Sequence, residues 1–553
     1  MSELNYINSK KYIILYLGLI LTLGLSLRFY YLPYDVPIAT DGFYSFVYAA
    51  KTVFEGNLPI GYGTTNTGWA NFLALFFSLS DTSDPFYLMQ IQRSLSVILS
   101  SLTIIPAFFI FRKFVNIRWA LFGCLLLIIE PRLLMSSLEG INYQLFFLLF
   151  VLVIALFLTK TKLTLFLSFG CIACATLVRY EGLLLLIPLS IMYFLKFKDK
   201  KSVVKFLGMI FIVIIILAPI SVLRIQATEN LCYETSFGVR CGSDGFTHNI
   251  LVGQRFLSHT LNAALGQEVS EQELTRLMKI IDENNEKTDN YAVLFVNKII
   301  VSFSALLKFI GLALIPYFAF FVLYNIILRI KNKKSIKLDW DKKMIVFTAS
   351  IMFLPALYAY MRGIEEIRYV LIIIPLVCIL SISWTNLISE KISKNLGVII
   401  ILMVLVLISS IIFIEFEKRD SIHDRESFLV SQKIVELTNM TNSFHQSGYV
   451  KTAILGSSWP VLPEAAQNGK PIYVFQIVST NDYDDLAEFI IDSRKYDLRY
   501  LVVDEDNELF AALRINPTVY PYLIKIFDSD EVGYKNHFMI YEIDYKLVGD
   551  NDK

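Results

Sequence analysis

The chain reads as a polytopic α-helical membrane protein of about 11 transmembrane helices, each roughly 20 residues long, with a C-terminal soluble α/β domain. Three observations predict this fold class. Of 553 residues, 55% are hydrophobic and 18% charged, too apolar for a soluble chain of this length. The apolar residues gather into long runs between residues 12 and 414. From about Glu417 onward the sequence turns polar, with the alternation of an ordinary globular domain. The expected division is a membrane domain over 1–416, with outer loops at 28–87 and 224–307, and a soluble domain over 417–553.

A hydrocarbon core of about 30 Å sets the length a crossing helix needs. Segments that meet it lie near 12–27, 88–111, 118–136, 142–159, 163–178, 183–197, 203–222, 308–329, 344–361, 369–385 and 396–414. The first follows Lys10 and Lys11 and runs into RFYYLPYD with no small-residue cleavage site, so it reads as a retained helix. Lysine and arginine concentrate in alternate short loops: Lys10 and Lys11; Arg112, Lys113 and Arg118; Lys160 and Lys162; Lys196, Lys198, Lys200 and Lys201; RIKNKKSIKLDWDKK from Arg329; and Lys391 with Lys394. Basic loops resist translocation, which makes these cytoplasmic, with the N-terminus inside. An odd number of helices then makes the C-terminal domain extracytoplasmic.

Cysteine placement fits this topology. Cys232 and Cys241 fall in the polar stretch 224–290, assigned to the outside, where an oxidising compartment lets them pair. They are a disulfide candidate, with two free thiols as the alternative. Cys124, Cys171, Cys174 and Cys378 lie in apolar helices and read as small packing residues; Cys171 and Cys174 make a CxxC with no second pair. In the same outer stretch, SEQELTRLMKII sets Ser270 and Glu273 at capping-box spacing and Leu274, Leu277, Met278 and Ile281 on one face, which predicts an amphipathic helix. Beyond Glu417, the strand patterns KTAILGS, PIYVFQI, RYLVVDE and FMIYEID alternate with the helical DDLAEFIIDSRK, predicting a small α/β domain.

The net charge of +1, without a basic patch interleaved with aromatics, gives no basis for nucleic-acid binding. No Walker loop, GxSxG or dinucleotide fingerprint is present. The five histidines, His248, His259, His423, His445 and His537, have no metal-ligand spacing, and Asn439 in NMT fits an N-glycosylation sequon. The informative groups are ionisable residues beside membrane segments, which are costly there unless used or paired. Arg28, Asp35, Asp41, Arg93, Glu130, Arg132, Glu139, Arg179, Glu181, Arg224, Arg362, Glu365, Glu366 and Arg368 all map to outer helix ends or outer loops. Guanidinium groups bind phosphate oxygens bidentately and stay charged near lipid. An outer cavity of arginines and carboxylates therefore suits a phosphate-bearing lipid substrate, with carboxylates to deprotonate an acceptor or hold a divalent ion.

Several segments carry a family resemblance. The loop ATDGFYSFVYAAKTVFEGNLP resembles the first outer loop of the dolichyl-phosphate-mannose protein mannosyltransferases and their relatives in the GT-C superfamily, in which an acidic residue precedes an amphipathic helix. RSLSVILSSLTIIPAFFIFRKF and ALFGCLLLIIEPRLLMSSLEGINYQLFFLLFVLVIALFL are similar to that family's second to fourth helices, and VRYEGLLLLIPL and IRYVLIIIPL to its later arginine-containing stretches. The likeness covers most of residues 12–385. It implies a GT-C-like fold, with Asp41 as the first-loop catalytic carboxylate, Glu139 as the acidic position of the second outer loop, and Arg179 and Arg368 near the donor phosphate. Two departures stand out: Gly42 follows Asp41 where the family often has a second acid, and TTNTGWANFLAL replaces its PPL stretch. Asp41 also reads as the N-cap of the helix it begins.

The chemistry needs few residues. A prenyl phosphate leaves without protonation, so one base for the acceptor hydroxyl and cations for the departing phosphate suffice. The expected function is transfer of a sugar, with inversion, from a polyprenyl- or dolichyl-phosphate donor to a glycan, lipid or protein acceptor on the extracytoplasmic side. Asp41 is the expected base and Glu139 a second catalytic acid, with Arg93, Arg179, Arg362 and Arg368 on the donor phosphate and Mg or Mn as a candidate cofactor. The alternatives are a transporter or flippase of lipid-linked glycans, and a sensor or assembly protein. Against transport, the charges lie at the outer rim rather than mid-membrane, and no inverted repeat is visible.

Overall fold

A computed structural model describes residues 2–34, 38, 40–55, 67–80, 85–228, 232–235, 238–241, 291–314, 340–361, 367–379, 410–415, isolated positions between 404 and 433, and 451–454, 476–477, 485–494, 498–503, 511–516 and 519–548. The chain forms two compact units: residues 1–31, 59–69 and 94–417; and residues 32–58, 70–93 and 418–553. The helices of the first part are α1 (Ser2–Tyr30), α2 (Thr40–Glu55), α3 (Gly68–Phe77), α4 (Pro85–Leu102), α5 (Ile104–Phe114), α6 (Ile117–Ile128) and α7 (Pro131–Leu138). They continue as α8 (Tyr143–Thr159), α9 (Lys162–Val178), α10 (Leu186–Lys196), α11 (Lys200–Thr228), α12 (Tyr291–Leu314), α13 (Trp340–Met352) and α14 (Leu354–Met361).

Among the described residues, four stretches are long and apolar enough to cross a membrane: Lys11–Tyr30, Tyr87–Phe114, Lys201–Val222 and Trp340–Met361. Ile117–Ile128 with Pro131–Leu138 makes a fifth if that pair, bent by 48°, is one span. These helices expose large apolar side chains, such as Val204, Leu207, Phe211 and Ile214 on α11, a surface that lipid rather than water covers. The expectation of eleven spans is met only in part. Helices α8 and α9 have 17 residues each, about 25 Å at 1.5 Å per residue, short of a 30 Å core. The 183–197 segment divides into a 3-10 turn, Tyr180–Leu185, and the 11-residue α10. Helix α12 begins at Tyr291 and runs through Lys308 to Leu314, and the rest of the expected 308–329 segment lies outside the described residues. Residues 315–339 and most of 396–414 lie outside the described residues, as does the SEQELTRLMKII segment.

The bend between α6 and α7 frees backbone groups that two buried charges recover. Arg28, 1% exposed, donates from Nη1 to the carbonyl of Ile128, the last residue of α6, at 2.8 Å. Glu130, fully buried, is the N-cap of α7; its Oε2 accepts from the amide of Leu133 at 2.6 Å, and Pro131 fills the first helical position, where no amide is needed. Gly24 lets α1 approach closely: a Cβ there would sit 2.1 Å from Ile128 Cγ1.

In the second unit, α4 holds the chain that leads into α2. Gln90 Nε2 donates to the carbonyl of Tyr34 at 3.0 Å, Arg93 Nη1 to that of Pro33 at 2.9 Å, and the buried Gln92 Nε2 to that of Gly42 at 2.8 Å. The same unit contains the C-terminal sheet: β3 (Lys451–Ile454), β4 (Gln476–Ile477), β5 (Leu498–Val503), β6 (Leu523–Asp528) and β7 (Met539–Ile543), in the order β4-β3-β5-β7-β6. Strands β3, β4 and β5 run parallel and β7 antiparallel to both β5 and β6. Alternation along β5 fills both faces: Leu501 and Val503 pack with Leu486, Phe489 and Ile490 of α15 (Leu486–Ser493), while Tyr500 and Val502 pack with Val430, Phe538 and Ile540. Asp485 caps α15, accepting from the amides of Ala487 and Glu488. The four expected strand patterns each contain a strand; β6, read from LIKIFD, was not expected.

Candidate functional site

Within the first unit, Arg179 and Arg368, 189 positions apart in sequence, line one recess with Tyr143, Phe146, Glu181, Met352, Pro355, Tyr369 and Ile372. Arg179 donates to Glu181 through Nε (3.3 Å to Oε2) and Nη2 (2.7 Å to Oε1), a fork-to-fork pair, and through Nη1 to Asn142 Oδ1 at 3.3 Å. Its guanidinium lies 5.9 Å from the Phe146 ring centre, and that of Arg368 lies 5.4 Å from the Tyr369 ring centre. Two guanidinium groups and one carboxylate thus line the recess.

The recess depends on two glycines. Arg179 ends α9 in extended backbone, and the chain then folds back as the 3-10 turn Tyr180–Leu185, with the Gly182 amide donating to the Arg179 carbonyl at 3.0 Å. A Cβ on Gly182 would lie 2.6 Å from Thr176 N and 2.7 Å from Ala175 C, so only glycine lets this turn rest on the last turn of α9. Gly68 packs on the same helix end: its Cβ would lie 2.4 Å from Leu177 O. The neighbouring Trp69, fully buried, donates from Nε1 to the Gly140 carbonyl at 3.1 Å and so holds the turn between α7 and α8, where Gly140 has φ +69°. TGW thus supports both flanks of the recess, which gives a packing role to the stretch that departs from the family pattern.

At the other ends of these helices, Lys160, between α8 and α9, forms an ion pair with Asp341 at 2.5 Å and stands 4.4 Å over the Trp340 ring. Trp340 also stacks on Phe157 and donates to the carbonyl of Met192, with Lys196 nearby. Three of the loops expected on one side of the membrane, around Lys160, Lys196 and Trp340, therefore converge, while Tyr143, Arg179 and Arg368 gather at the opposite ends.

The remaining expected site residues stand separately. Asp41 is the second residue of α2, inside its first turn rather than at its cap, because the helix already starts at Thr40; its side chain lies outside the described residues. Gln92 fixes the backbone next to it, at Gly42. Glu139 follows α7 and is exposed. Arg93 is buried and bound to Pro33, a scaffold contact in the second unit. Asp35, Arg362, Glu365 and Glu366 lie outside the described residues. Cys232 and Cys241 are directly opposed in the antiparallel pair β1 (Cys232–Thr235) and β2 (Gly238–Cys241). Cys124 and Cys378 are buried free thiols, in keeping with packing residues, whereas the free Cys174 is exposed.

Among the described residues one group has metal-ligand geometry: Asp528, Asp530 and His537, whose ligand atoms all lie within 4.8 Å of one another. His537 Nε2 is 3.0 Å from Asp528 Oδ1 and 3.6 Å from Asp530 Oδ2, and Lys525 Nζ is 2.9 Å from Asp528 Oδ2. Sequence spacing could not reveal this group, because the β6–β7 hairpin folds His537 back onto Asp528. Burial raises the Asp528 carboxyl, but Lys525, the Asp530 amide and His537 outweigh it and hold the group below the usual carboxylate range.

No protein-family model matches the chain, and no curated protein matches its sequence. Solved structures do. The apo crystal structure of the Archaeoglobus fulgidus oligosaccharyltransferase superposes with a TM-score of 0.55 at 10% identity, covering 90% of this chain and 70% of that one. The same organism's enzyme AglB, in complex with an inhibitory peptide and a dolichol-phosphate, gives 0.53 at 12% identity over 98% and 75%. Its complex with zinc and sulfate gives 0.52 at 12% over 92% and 71%. At such identity the likeness shows the fold alone, and the fold is that of these Archaeoglobus fulgidus oligosaccharyltransferase structures.

Proposed function

We propose that this protein is an integral-membrane glycosyltransferase that takes a sugar from a polyprenyl- or dolichyl-phosphate donor and passes it, with inversion, to an acceptor on the extracytoplasmic side. The observation that carries the reading is the recess itself: Arg179 and Arg368 meet beside Glu181 in a chain with the fold of a lipid-linked glycan transferase. The similar AglB enzyme, bound to dolichol-phosphate, supports a lipid phosphate as the ligand class.

In the proposed step the acceptor's nucleophilic oxygen or nitrogen bonds to the anomeric carbon as the bond from that carbon to the phosphate oxygen breaks. The electron pair of the broken bond goes to the phosphate, and the acceptor proton goes to Asp41 as general base. Arg179, oriented by Glu181 and Asn142, and Arg368 stabilise the charge that grows on the phosphate. In this reading Glu139 is a second acidic group, Arg362 a further phosphate contact, and Arg93 acts through the loop backbone it holds. A divalent ion, Mg or Mn, serves the same chemistry if the outer carboxylates hold one. The domain division at 416/417 and the outward-facing C-terminal domain belong to the same proposal.

The test is direct. Purified protein is incubated with polyprenyl-phosphate sugars and release of free lipid phosphate is measured, with Asp41→Asn as control. Turnover by the parent and none by a folded, inserted Asp41→Asn protein is the expected result. Full activity in Asp41→Asn removes Asp41 from the role, and no turnover with any donor favours transport or binding.

A further inference from the structure

The Tyr143 hydroxyl is a group in the recess to which the described residues supply no partner. Tyr143 opens α8 and is 4% exposed; its ring stacks on Phe147, with centroids 5.8 Å apart and planes 20° from parallel. Its hydroxyl oxygen is buried and has no hydrogen-bond partner among the described residues. A buried hydroxyl without a bond keeps the whole of its desolvation cost, so such groups need a stated reason. Its surroundings are charged: Arg179, Glu130 and Glu181 are the ionisable groups that act on it. Arg179 is directed away from it in part, with Nε and Nη2 on Glu181 and Nη1 on Asn142.

A phenol O–H that shares a recess with two guanidinium groups is matched by an oxyanion, to which it donates a charge-assisted bond. Resting on the donor-phosphate reading above, we propose that Tyr143 is a positioning residue: its hydroxyl donates to a phosphate oxygen of the lipid carrier and fixes that phosphate against Arg368. The competing account is local. Glu130 Oε1 is also buried without a partner, and a water bridging it to Tyr143 would satisfy both.

The full-length protein in lipid nanodiscs separates these accounts, with dolichyl phosphate as probe and dolichol, which lacks the phosphate, as its control. The expected result is that Tyr143→Phe weakens dolichyl-phosphate binding about tenfold, the order of one charge-assisted bond, with dolichol binding and thermal stability unchanged. Unchanged dolichyl-phosphate affinity in Tyr143→Phe overturns the proposal. So does a loss of thermal stability that Glu130→Gln reproduces while phosphate affinity stays at the parent value, the signature of a water-bridged pair. If the parent protein binds dolichyl phosphate no better than dolichol, the donor-phosphate reading itself fails and takes this inference with it.

Discussion

Replacing Gly182 with alanine tests whether the recess depends on the fold-back after α9. The added Cβ would lie 2.6 Å from Thr176 N, 2.7 Å from Ala175 C and 3.0 Å from Thr176 Cα, all backbone atoms that cannot swing aside. Ordinary contact begins near 3.4 Å, so the turn must lift from α9 by roughly 0.8 Å. Overpacking of this kind costs about 1–3 kcal/mol. Glu181 sits on the lifted turn and Arg179 on the helix, so their 2.7 Å contact opens. A misplacement of about 1 Å at a reacting group costs on the order of 100-fold in rate. We expect Gly182→Ala to slow lipid-phosphate release 10- to 100-fold and to lower the apparent melting temperature of the detergent-solubilised protein. Gly18→Ala is the control: nothing lies within 4 Å of its added Cβ, and alanine in a helix is neutral or stabilising by up to about 1 kcal/mol. Parent-like rate and stability in Gly182→Ala would refute the steric argument.

Three further expectations concern other sites. Glu181→Gln removes the carboxylate that neutralises Arg179, so product inhibition by dolichyl phosphate should strengthen several-fold as kcat falls; unchanged inhibition would contradict the charge balance assigned to the recess. Cys232 and Cys241 are directly paired, and cross-strand Cα separations of about 4.5–5.5 Å fit a disulfide. Protein from an oxidising compartment should therefore take up two more alkylating groups after reduction than before, and equal uptake argues for free thiols. Asp528 has a folded-state pKa below that of an unfolded aspartate. Its contribution is thus present above about pH 3.9 and lost as pH falls below that. Hydrogen exchange in the β6–β7 hairpin should accelerate in that acid window, and Asp528→Asn should lack the extra acceleration.

The parts legible in the sequence were those set by composition and local pattern. Apolar length located α1, α4 with α5, α11, and α13 with α14, and period-two alternation located β3, β5 and β7. Arg179 and Arg368 stood out because an arginine beside an apolar run needs a reason, and the structure brings both into one recess. What was not legible depends on contacts between distant segments. The interruption at Gly182 turns an apolar run into a 3-10 turn because of a clash with Ala175 and Thr176, and hydropathy does not register that. Nothing in TTNTGWANFLAL reveals that Gly68 will rest on Leu177 or that Trp69 will hold Gly140. His537 meets Asp528 and Asp530 only through a hairpin whose first strand carried no clear alternation.

The same contacts show why the position of a charge near a membrane does not by itself identify a site. Arg28, Glu130, Arg93 and Arg179 look alike in sequence, each an ionisable group at the end of an apolar segment. Arg28 and Glu130 bond to the backbone groups freed where α6 and α7 part, and Arg93 to the Pro33 carbonyl. Such bonds stabilise the chain whether or not a substrate is present. Among the described residues the Arg179 guanidinium instead bonds to side chains, Glu181 and Asn142, which fix its orientation in the recess it lines with Arg368. The two kinds of charge should respond differently to neutral isosteres. Glu130→Gln keeps an oxygen to accept from Leu133 and should cost under about 1 kcal/mol at the cap, since asparagine-like amides also serve there. Arg28→Met, which leaves the Ile128 carbonyl buried without its donor, should lower stability by about 1–3 kcal/mol. Arg368→Met, by contrast, should abolish measurable dolichyl-phosphate binding in protein that still folds and inserts. If it instead unfolds the protein while Arg28→Met is silent, the assignment of scaffold and site among these arginines is reversed.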